Sequence, residues 1–349
     1  MTDTVAVLGP GRIGRPIAVA FALGGSRVRL LDLKPRRDSE RAAAFADARR
    51  EMERDLALMA EEGVIAPGEV VPALERIELR AGLDGLADCA FVQEALPESV
   101  ALKRETFARL AGHLAPEAIV ASTSSSISPS RLGDALERPE RFLVAHWLNP
   151  AHVIPLVEVV PGPETKDDVV IATIERLERL GKVPVRCADS PGFIGPRLQV
   201  LLMNEAVRLV EEGVASPEDV DRAFRAGMGF RYGAIGIFEF IDWGGVDILH
   251  RASRHLTEAL GDDRFRPART VDEKIARNEL GPKTGRGFFE YGGAERDRFE
   301  AEKMRALLRQ LRSWKQSNRD SIVSGPLRSW KDASESSNPS GTLRSSKPS

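Results

Sequence analysis

The sequence of 349 residues is poor in cysteine and has no long apolar run. Its two cysteines, Cys89 and Cys187, are too few for a disulfide framework or a cysteine-based zinc site. No stretch approaches the roughly 18 consecutive apolar residues that cross a bilayer. The first apolar run, residues 5–8, lacks the basic flank of a signal peptide. We therefore exclude a secreted disulfide scaffold and a membrane protein, and we expect a cytoplasmic protein.

An excess of charge of one sign is also lacking. Fifty basic residues against fifty-two acidic ones give a net charge of −2 and an isoelectric point near 6.3. This balance argues against a nucleic-acid-binding protein, which normally carries a clustered basic face. The 42% of hydrophobic residues is enough to form packed cores, and the length predicts roughly two domains.

Short apolar runs alternate with amphipathic helical patterns through the first half of the chain. This alternation predicts βαβ units and an α/β domain built on a doubly wound, mostly parallel sheet. The predicted strands are residues 5–8, 28–31, 91–93, 119–121, 142–145 and 156–160, with a last one at 185–186. The predicted helices between them include residues 17–23, 40–62 and 102–113.

The pattern changes near residue 189, where a Pro-Gly pair interrupts the chain. Beyond it the periodicity is helical, and the predicted helices are residues 198–212, 217–226 and 238–260. We therefore assign residues 1–188 to the α/β domain and residues 189–312 to an all-helical domain. Residues 313–349 contain twelve serines and no apolar period. Such a segment cannot bury enough surface to offset its ordering entropy, so we expect a disordered tail.

A glycine-rich loop, Gly-Pro-Gly-Arg-Ile-Gly, follows the first predicted strand and opens a helix. In a dinucleotide-binding (Rossmann) domain, Gly9 makes the turn, Gly11 lets the backbone approach a pyrophosphate, and Gly14 allows close packing of helix and strand. Asp32 ends the second strand, where a carboxylate binds the ribose of NAD and repels the 2′-phosphate of NADP. Basic residues at 34–37 weaken that preference. The alternative is a structural turn with a surface aspartate; we favour NAD binding.

A histidine and a glutamate lie on consecutive predicted strands, His146 at the end of one and Glu158 on the next. An imidazole suits removal of a hydroxyl proton at neutral pH while hydride passes to NAD. A carboxylate on its second nitrogen fixes the tautomer and stabilises the imidazolium. The alternative is a core histidine without a chemical role, and His152 is the nearest rival. Because the pair lies beside a dinucleotide loop, we favour catalysis, and no metal-ligand spacing is present.

The run Ser-Thr-Ser-Ser-Ser at residues 122–126 follows another strand at the same edge of the predicted sheet. Either these hydroxyls form a solvated turn, or one of them faces the nicotinamide and the substrate oxygen. A serine hydrolase is disfavoured, because no G-x-S-x-G motif surrounds the run.

Six motifs, in order, resemble the L-3-hydroxyacyl-CoA dehydrogenase family, including its lambda-crystallin (gulonate dehydrogenase) and carnitine dehydrogenase relatives. They are GPGRIG at 9–14, EALPE at 94–98, STSSS at 122–126, HWLNPAHVIPLVEVVPGPET at 146–165, SPGFIGPRL at 190–198 and GPKTGRGFFEY at 281–291. The resemblance runs from about residue 3 to 292. It implies NAD as cofactor, a Rossmann domain followed by a helical domain that dimerises, and a homodimer.

The resemblance also implies roles for individual residues. His146 is implied as the catalytic base with Glu158 as its partner. Ser125 and Asn149 are implied to contact both the substrate and the nicotinamide. The further cofactor contacts that the resemblance implies are Glu98, Lys103 and Lys283.

Two positions depart from the family pattern. Pro196 stands where the family has an asparagine that helps to hold the substrate carbonyl, and proline offers neither a side-chain amide nor an N–H. At residues 53–63, acidic side chains stand about where CoA-using relatives have a serine and a lysine. These acids oppose binding of CoA phosphates unless the arginines at 49, 50 and 54 compensate.

The sequence leads to one principal hypothesis and two alternatives. The principal hypothesis is an NAD-dependent 3-hydroxyacyl-CoA dehydrogenase of fatty acid metabolism, acting for example on 3-hydroxybutyryl-CoA. The first alternative is a dehydrogenase of a free small hydroxy acid, such as gulonate or carnitine. The second is an NAD-binding protein without turnover, which Pro196 favours and the His146–Glu158 pair opposes. The expected partners are a small-molecule substrate and a second copy of the chain.

Overall fold

The computed structural model describes residues 3–293 and 295–317. The chain divides into two compact units, with the boundary between Glu205 and Ala206. The strands of the first unit are β1 Thr4–Leu8, β2 Arg27–Asp32, β3 Ile77–Ala81, β4 Cys89–Glu94, β5 Ile119–Ser122, β6 Phe142–Trp147, β7 Leu156–Pro161 and β8 Val183–Arg186. Its helices are α1 Gly14–Leu23, α2 Asp38–Glu61, α3 Val70–Glu75, α4 Val100–Arg109, α5 Asp167–Arg179 and α6 Gly195–Glu211, the last of which continues past the boundary.

The eight strands form a single sheet in the order β3-β2-β1-β4-β5-β6-β7-β8. All neighbouring strands are parallel except β6 and β7, which are antiparallel. The chain reverses its direction across the sheet between β1 and β4, which is the topology of a doubly wound nucleotide-binding domain. The predicted fold class is confirmed.

Two hydrophobic clusters cover the two faces of this sheet. Val5 and Val7 belong to one cluster, whereas Ala6 and Leu8 belong to the other, and all four are fully buried. Successive side chains of a strand point to opposite faces, so a strand buried on both faces is apolar throughout. Burial on both faces holds the central strands in place. The polar motifs follow at the carboxyl ends of these strands.

One strand of the sheet was missed by the sequence analysis. Residues Ile77–Ala81 form β3, which pairs with β2 alone at the edge of the sheet. Its sequence, Ile-Glu-Leu-Arg-Ala, alternates apolar and charged residues. An edge strand needs no continuous apolar run, so the apolar pattern that predicts buried strands is absent from this segment.

The second unit is helical. Its helices are α7 Pro217–Phe224, α8 Phe230–Tyr232, α9 Ile237–Gly244, α10 Val246–Leu260, α11 Arg269–Ala276 and α12 Glu295–Ser317, with a π-helical turn at Arg225–Gly229 between α7 and α8. The predicted single helix 238–260 is wrong, because Gly245 breaks it with φ of +100°, a left-handed value that a helix excludes.

The final helix extends beyond the domain end predicted at residue 312. It continues through residues 313–317, which the sequence analysis assigned to the tail because of their serines. The rest of the predicted tail, residues 318–349, lies outside the described residues. Within the part of the chain that is described, no helix combines the length and apolar character of a membrane span.

Candidate active site

The centre of the site is a histidine–carboxylate pair set by strand register. His146 on β6 and Glu158 on β7 are directly opposite each other in the antiparallel pair, so both side chains emerge on one face. The His146 Nδ1 atom lies 2.7 Å from Glu158 Oε2. His146 is 6% exposed and Glu158 is fully buried. The two predicted residues are therefore brought together, and the short contact is a charge-assisted hydrogen bond.

Glu158 is itself held by the first turn of α6. Its Oε1 atom accepts hydrogen bonds from the backbone N–H of Ile194 at 2.8 Å and of Gly195 at 2.7 Å. These amides belong to the N-terminus of a helix, which favours negative charge. A carboxylate held in this way is placed to accept a proton from His146 Nδ1, and in that tautomer Nε2 is the proton-accepting nitrogen of the ring.

A cavity of about 860 Å³ opens in front of this pair within the first unit. It is lined by Arg12, Ile13, Ala95, Leu96, Pro97, Glu98, Thr123, Ser125, His146, Trp147, Leu148, Asn149, Ile154, Pro196, Gln199, Val200 and Met203. Its size is within the range of small-molecule sites. The predicted residues Ser125 and Asn149 are both exposed and line this cavity together with His146.

The glycine loop has the geometry that a dinucleotide requires. Gly9 has φ of +105°, and a Cβ on Gly14 would lie 1.9 Å from the Gly9 carbonyl oxygen. A Cβ on Gly11 would meet no protein atom within 4 Å. Gly9 and Gly14 are therefore glycine for reasons of folding, whereas Gly11 borders open space above the N-terminus of α1. That space fits a pyrophosphate, which the helix N-terminus would hold.

Asp32 ends β2 beside this loop, as predicted, and is 3% exposed. Its Oδ1 atom accepts from the backbone N–H of Lys34 at 3.2 Å, and its Oδ2 atom accepts from Arg36 Nε at 2.6 Å. Each carboxylate oxygen has a second lone pair, so the aspartate fits a pair of ribose hydroxyls. The guanidinium of Arg36 lies beside the Asp32 carboxylate as its ion-pair partner.

A buried ion pair that the sequence analysis missed supports the serine loop. Lys103 Nζ lies 2.6 Å from Glu94 Oε1, and both residues are fully buried. Glu94 also accepts hydrogen bonds from the Leu96 N–H at 2.6 Å and from the Ser122 hydroxyl. An acidic residue at the end of a buried strand was the available signal. Lys103, which the resemblance implied as a cofactor contact, has its cation inside the fold.

Glu98 connects this ion pair to the serine run. Its Oε1 atom accepts from the hydroxyls of Ser124 at 2.6 Å and Ser126 at 2.8 Å and from the backbone N–H groups of Ser125 and Ser126. Burial opposes the charged form, but the hydrogen bonds from Ser124 and Ser126 and the charge of Lys103 hold the pKa of Glu98 below its ordinary value. The anionic Glu98 orders the loop that carries Ser125.

The remaining candidates differ in place or chemistry. Lys283 lies in the second unit, where it pairs with Asp247. Burial, chiefly, and Lys182 lower the pKa of His152, and His152 is not among the residues lining the cavity. Burial and the charge of Glu158 raise the pKa of the Cys187 thiol to about 11, which argues against a thiolate nucleophile. Among the described residues no cluster of metal-binding side chains occurs.

Family models match both parts of the chain. The NAD-binding domain of 3-hydroxyacyl-CoA dehydrogenase matches residues 4–190, and the C-terminal domain of the same family matches residues 192–291. The chain belongs to the 3-hydroxyacyl-CoA dehydrogenase family. The resemblance drawn from the six motifs is confirmed.

Individual members of the 3-hydroxyacyl-CoA dehydrogenase family are similar over most of their length. A probable 3-hydroxybutyryl-CoA dehydrogenase of Deinococcus radiodurans is 35% identical over 288 residues, which are 82% of this chain and 99% of that protein. A lambda-crystallin homolog of Bos taurus is 39% identical over 256 residues, 72% of this chain and 77% of that protein. The structure of a 3-hydroxyacyl-CoA dehydrogenase from Archaeoglobus fulgidus has a TM-score of 0.70 and 32% identity, covering 88% of this chain and 99% of that chain.

The protein is accordingly an NAD-dependent oxidoreductase of the 3-hydroxyacyl-CoA dehydrogenase type. NAD as the predicted cofactor is confirmed at the level of the family. The roles of the individual side chains stay predictions.

Proposed function

We propose that this enzyme oxidises the hydroxyl of a small 3-hydroxyacyl compound to the 3-keto product, with His146 as the base and Glu158 as its orienting partner. The observation that carries the proposal is the contact of 2.7 Å between His146 Nδ1 and the buried Glu158 carboxylate, in the wall of a cavity beside the glycine loop. NAD, when bound, accepts the hydride from the carbon that bears the hydroxyl.

The side chains of this site divide the remaining work. Because Glu158 keeps the Nδ1 proton of His146 engaged, Nε2 accepts the proton of the substrate hydroxyl. The imidazolium that forms lies beside the Glu158 carboxylate. This carboxylate also accepts hydrogen bonds from two backbone amides at the start of α6. Ser125 and Asn149 line the same cavity and are proposed to orient the reacting oxygen.

The proposed substrate is a short acyl-CoA thioester, because the Deinococcus radiodurans relative is named as a probable 3-hydroxybutyryl-CoA dehydrogenase. One observation favours the alternative of a free hydroxy acid. Arg50 and Arg54 of α2, which would have to meet CoA phosphates, already pair with Asp47 and Glu51 of their own helix. Exposed pairs of this kind exchange at little cost, so the thioester stays the proposed substrate and the free acid the alternative.

Two measurements test the proposed function. The first compares kcat/KM for 3-hydroxybutyryl-CoA with that for free 3-hydroxybutyrate, gulonate and carnitine. A preference for the thioester above about 100-fold supports the CoA proposal, and the reverse preference supports the free acid. Binding of NADH without turnover of any of these compounds would instead support the non-catalytic alternative, which the absence of an amide at Pro196 suggests.

The second measurement is of His146→Ala. We expect kcat to fall by about 100-fold or more, the usual contribution of a general base, while the NADH dissociation constant is nearly unchanged. The matched control is His113→Ala, since His113 is exposed and does not line the cavity. Full activity of His146→Ala would remove the mechanism.

We further propose that the enzyme is a homodimer, as the resemblance implies. Large apolar side chains remain exposed along α6 and the helices that follow it; they include Leu198, Leu201, Leu202, Val207, Phe224, Ile237, Phe238, Ile248 and Leu260. Exposed apolar surface on this scale is typical of an interface with another copy. Light scattering during gel filtration tests the mass, and a monomer at micromolar concentration would contradict the proposal. The cytoplasmic location and the role in fatty acid metabolism stay predictions.

A further inference from the structure

The wall that α6 contributes to the cavity is almost entirely apolar. Its members are Pro196, Gln199, Val200 and Met203. Pro196 has no N–H and no polar side chain, and valine and methionine offer at most a weak sulfur acceptor. Gln199 is therefore the side chain through which this part of α6 can hydrogen-bond to a molecule in the cavity.

The side-chain amide of Gln199 uses little of its hydrogen-bonding capacity within the protein. The contact that it makes is from Nε2 to the thioether sulfur of Met203, at 3.8 Å, and the residue is exposed. A primary amide has two N–H donors and a carbonyl acceptor. By contrast, the amide of Asn204 on the same helix donates to the Val200 carbonyl at 2.8 Å.

The start of α6, four residues before Gln199, is anchored by the same carboxylate that contacts His146. Glu158 binds His146 through Oε2 and the first amides of α6 through Oε1. Gln199 follows Gly195 by four residues, so it stands one helical turn from the anchored start of α6. Strand β6 thus presents an imidazole, and helix α6 an amide, to the same cavity. Glu158 binds both elements.

We propose that the Gln199 side-chain amide donates a hydrogen bond to the carbonyl oxygen that the substrate carries beside the reacting hydroxyl, and so selects for substrates that have such an oxygen. The inference rests on the proposed function, because it names a further contact of the same site. The chemistry is shared by a thioester carbonyl and by a carboxylate, and the experiment below separates these two sources. A hydrogen bond of this type, donated by a side-chain amide, contributes modestly to binding. It contributes strongly to discrimination against an analogue that lacks the accepting oxygen.

The test compares substrates with and without that oxygen. In the thioester arm, the pair is 3-hydroxybutyryl-CoA and its thioether S-(3-hydroxybutyl)-CoA, in which a methylene replaces the carbonyl. In the free-acid arm, the pair is 3-hydroxybutyrate and 2-butanol. Both arms are run with the full chain, its Gln199→Leu and Gln199→Glu variants, and Asn204→Leu as a matched loss of an amide from the same helix outside the cavity.

We expect Gln199→Leu to lower kcat/KM for the carbonyl-bearing substrate by about 10- to 100-fold and to leave kcat/KM for the carbonyl-free analogue within about twofold. Gln199→Glu replaces the donors by a charged acceptor, so the loss is larger, and it is largest for the free acid. The NADH dissociation constant and the melting temperature are unchanged in both variants, because Gln199 is exposed. Asn204→Leu behaves like the wild type.

A wrong role for Gln199 and a wrong function for the enzyme give different kinetic results. If the wild type turns over substrate and Gln199→Leu lowers both members of a pair equally, or neither, the role of Gln199 is refuted while the proposed function stands. If the wild type binds NADH and turns over neither pair and neither gulonate nor carnitine, the proposed function is refuted and the role of Gln199 falls with it.

Discussion

His146 and Glu158 face each other across the antiparallel β6–β7 pair, and the carboxylate that contacts the imidazole also receives the first amides of α6. One residue thereby fixes the tautomer of the base and the start of the helix that lines the cavity. Glu158 therefore contributes a negative charge and hydrogen-bond-accepting oxygen atoms. A conservative substitution can remove the charge while it keeps an accepting oxygen.

Glu158→Gln is expected to fold but to lose activity. The glutamine carbonyl oxygen can still accept from Ile194 and Gly195, whereas its amide donates to His146 Nδ1 and forces the proton onto Nε2. The ring then cannot accept the substrate proton, and we expect kcat to fall by about 100-fold or more. Steady-state kinetics with saturating NAD check the loss, and NADH titration checks that the cofactor still binds. A variant with wild-type kcat would show that the carboxylate plays no part in proton transfer.

The glycine loop offers a test that separates folding from cofactor binding. A Cβ at Gly11 meets no protein atom within 4 Å, whereas a Cβ at Gly14 lies 1.9 Å from the carbonyl oxygen of Gly9. We expect Gly11→Ala to leave the melting temperature almost unchanged and to weaken NADH binding by about tenfold or more, because the methyl occupies space that the pyrophosphate needs. Gly14→Ala is expected to lower the melting temperature, since the backbone must shift. Equal NADH affinity in Gly11→Ala and the wild type would refute this placement of the pyrophosphate.

The central architecture could be predicted from the sequence because its signals are local. The apolar strands at 5–8 and 28–31, the glycine spacing and Asp32 each depend on a few neighbouring residues, and the structure places them as expected. The position of Glu158 opposite His146 was also accessible, since two consecutive strands joined by a short loop tend to pair.

Long-range partners were not accessible in the same way. The acid at the end of β4 is a local signal for a buried carboxylate, but nothing in the sequence identifies Lys103, nine residues later, as the fully buried cation that pairs with Glu94. The resemblance implied only that Lys103 contacts the cofactor. The edge strand β3 and the break at Gly245 depend on packing and on backbone angle, which periodicity does not report. The cavity-lining position of Gln199 follows from the path of α6.

Lys103→Met is expected to destabilise the protein rather than to act on the cofactor directly. Removing the cation leaves the Glu94 carboxylate buried without its partner, which costs about 3–5 kcal/mol. The control is Arg104→Met on the same helix, because the ion pair of Arg104 with Asp134 is exposed and its loss changes stability little. Urea unfolding measures both variants. If Lys103→Met keeps wild-type stability and loses NADH affinity alone, Lys103 is a cofactor contact after all.

The hydrogen bonds to Glu98 make a specific prediction for stability in acid. Because the pKa of Glu98 is below its ordinary value in the folded state, the charged side chain contributes stability above the unfolded pKa of about 4.3, and that contribution is lost as the pH falls through the lower folded pKa. We expect the free energy of unfolding of the wild type to exceed that of Glu98→Gln at pH 7 and pH 5, and the difference to shrink between pH 4 and pH 3. Urea unfolding at these four pH values measures it.

The exposed Glu117→Gln serves as the control and should follow the wild-type curve. A difference that stays constant down to pH 3 would show that Glu98 carries no linked proton and that the serine loop is held by packing alone.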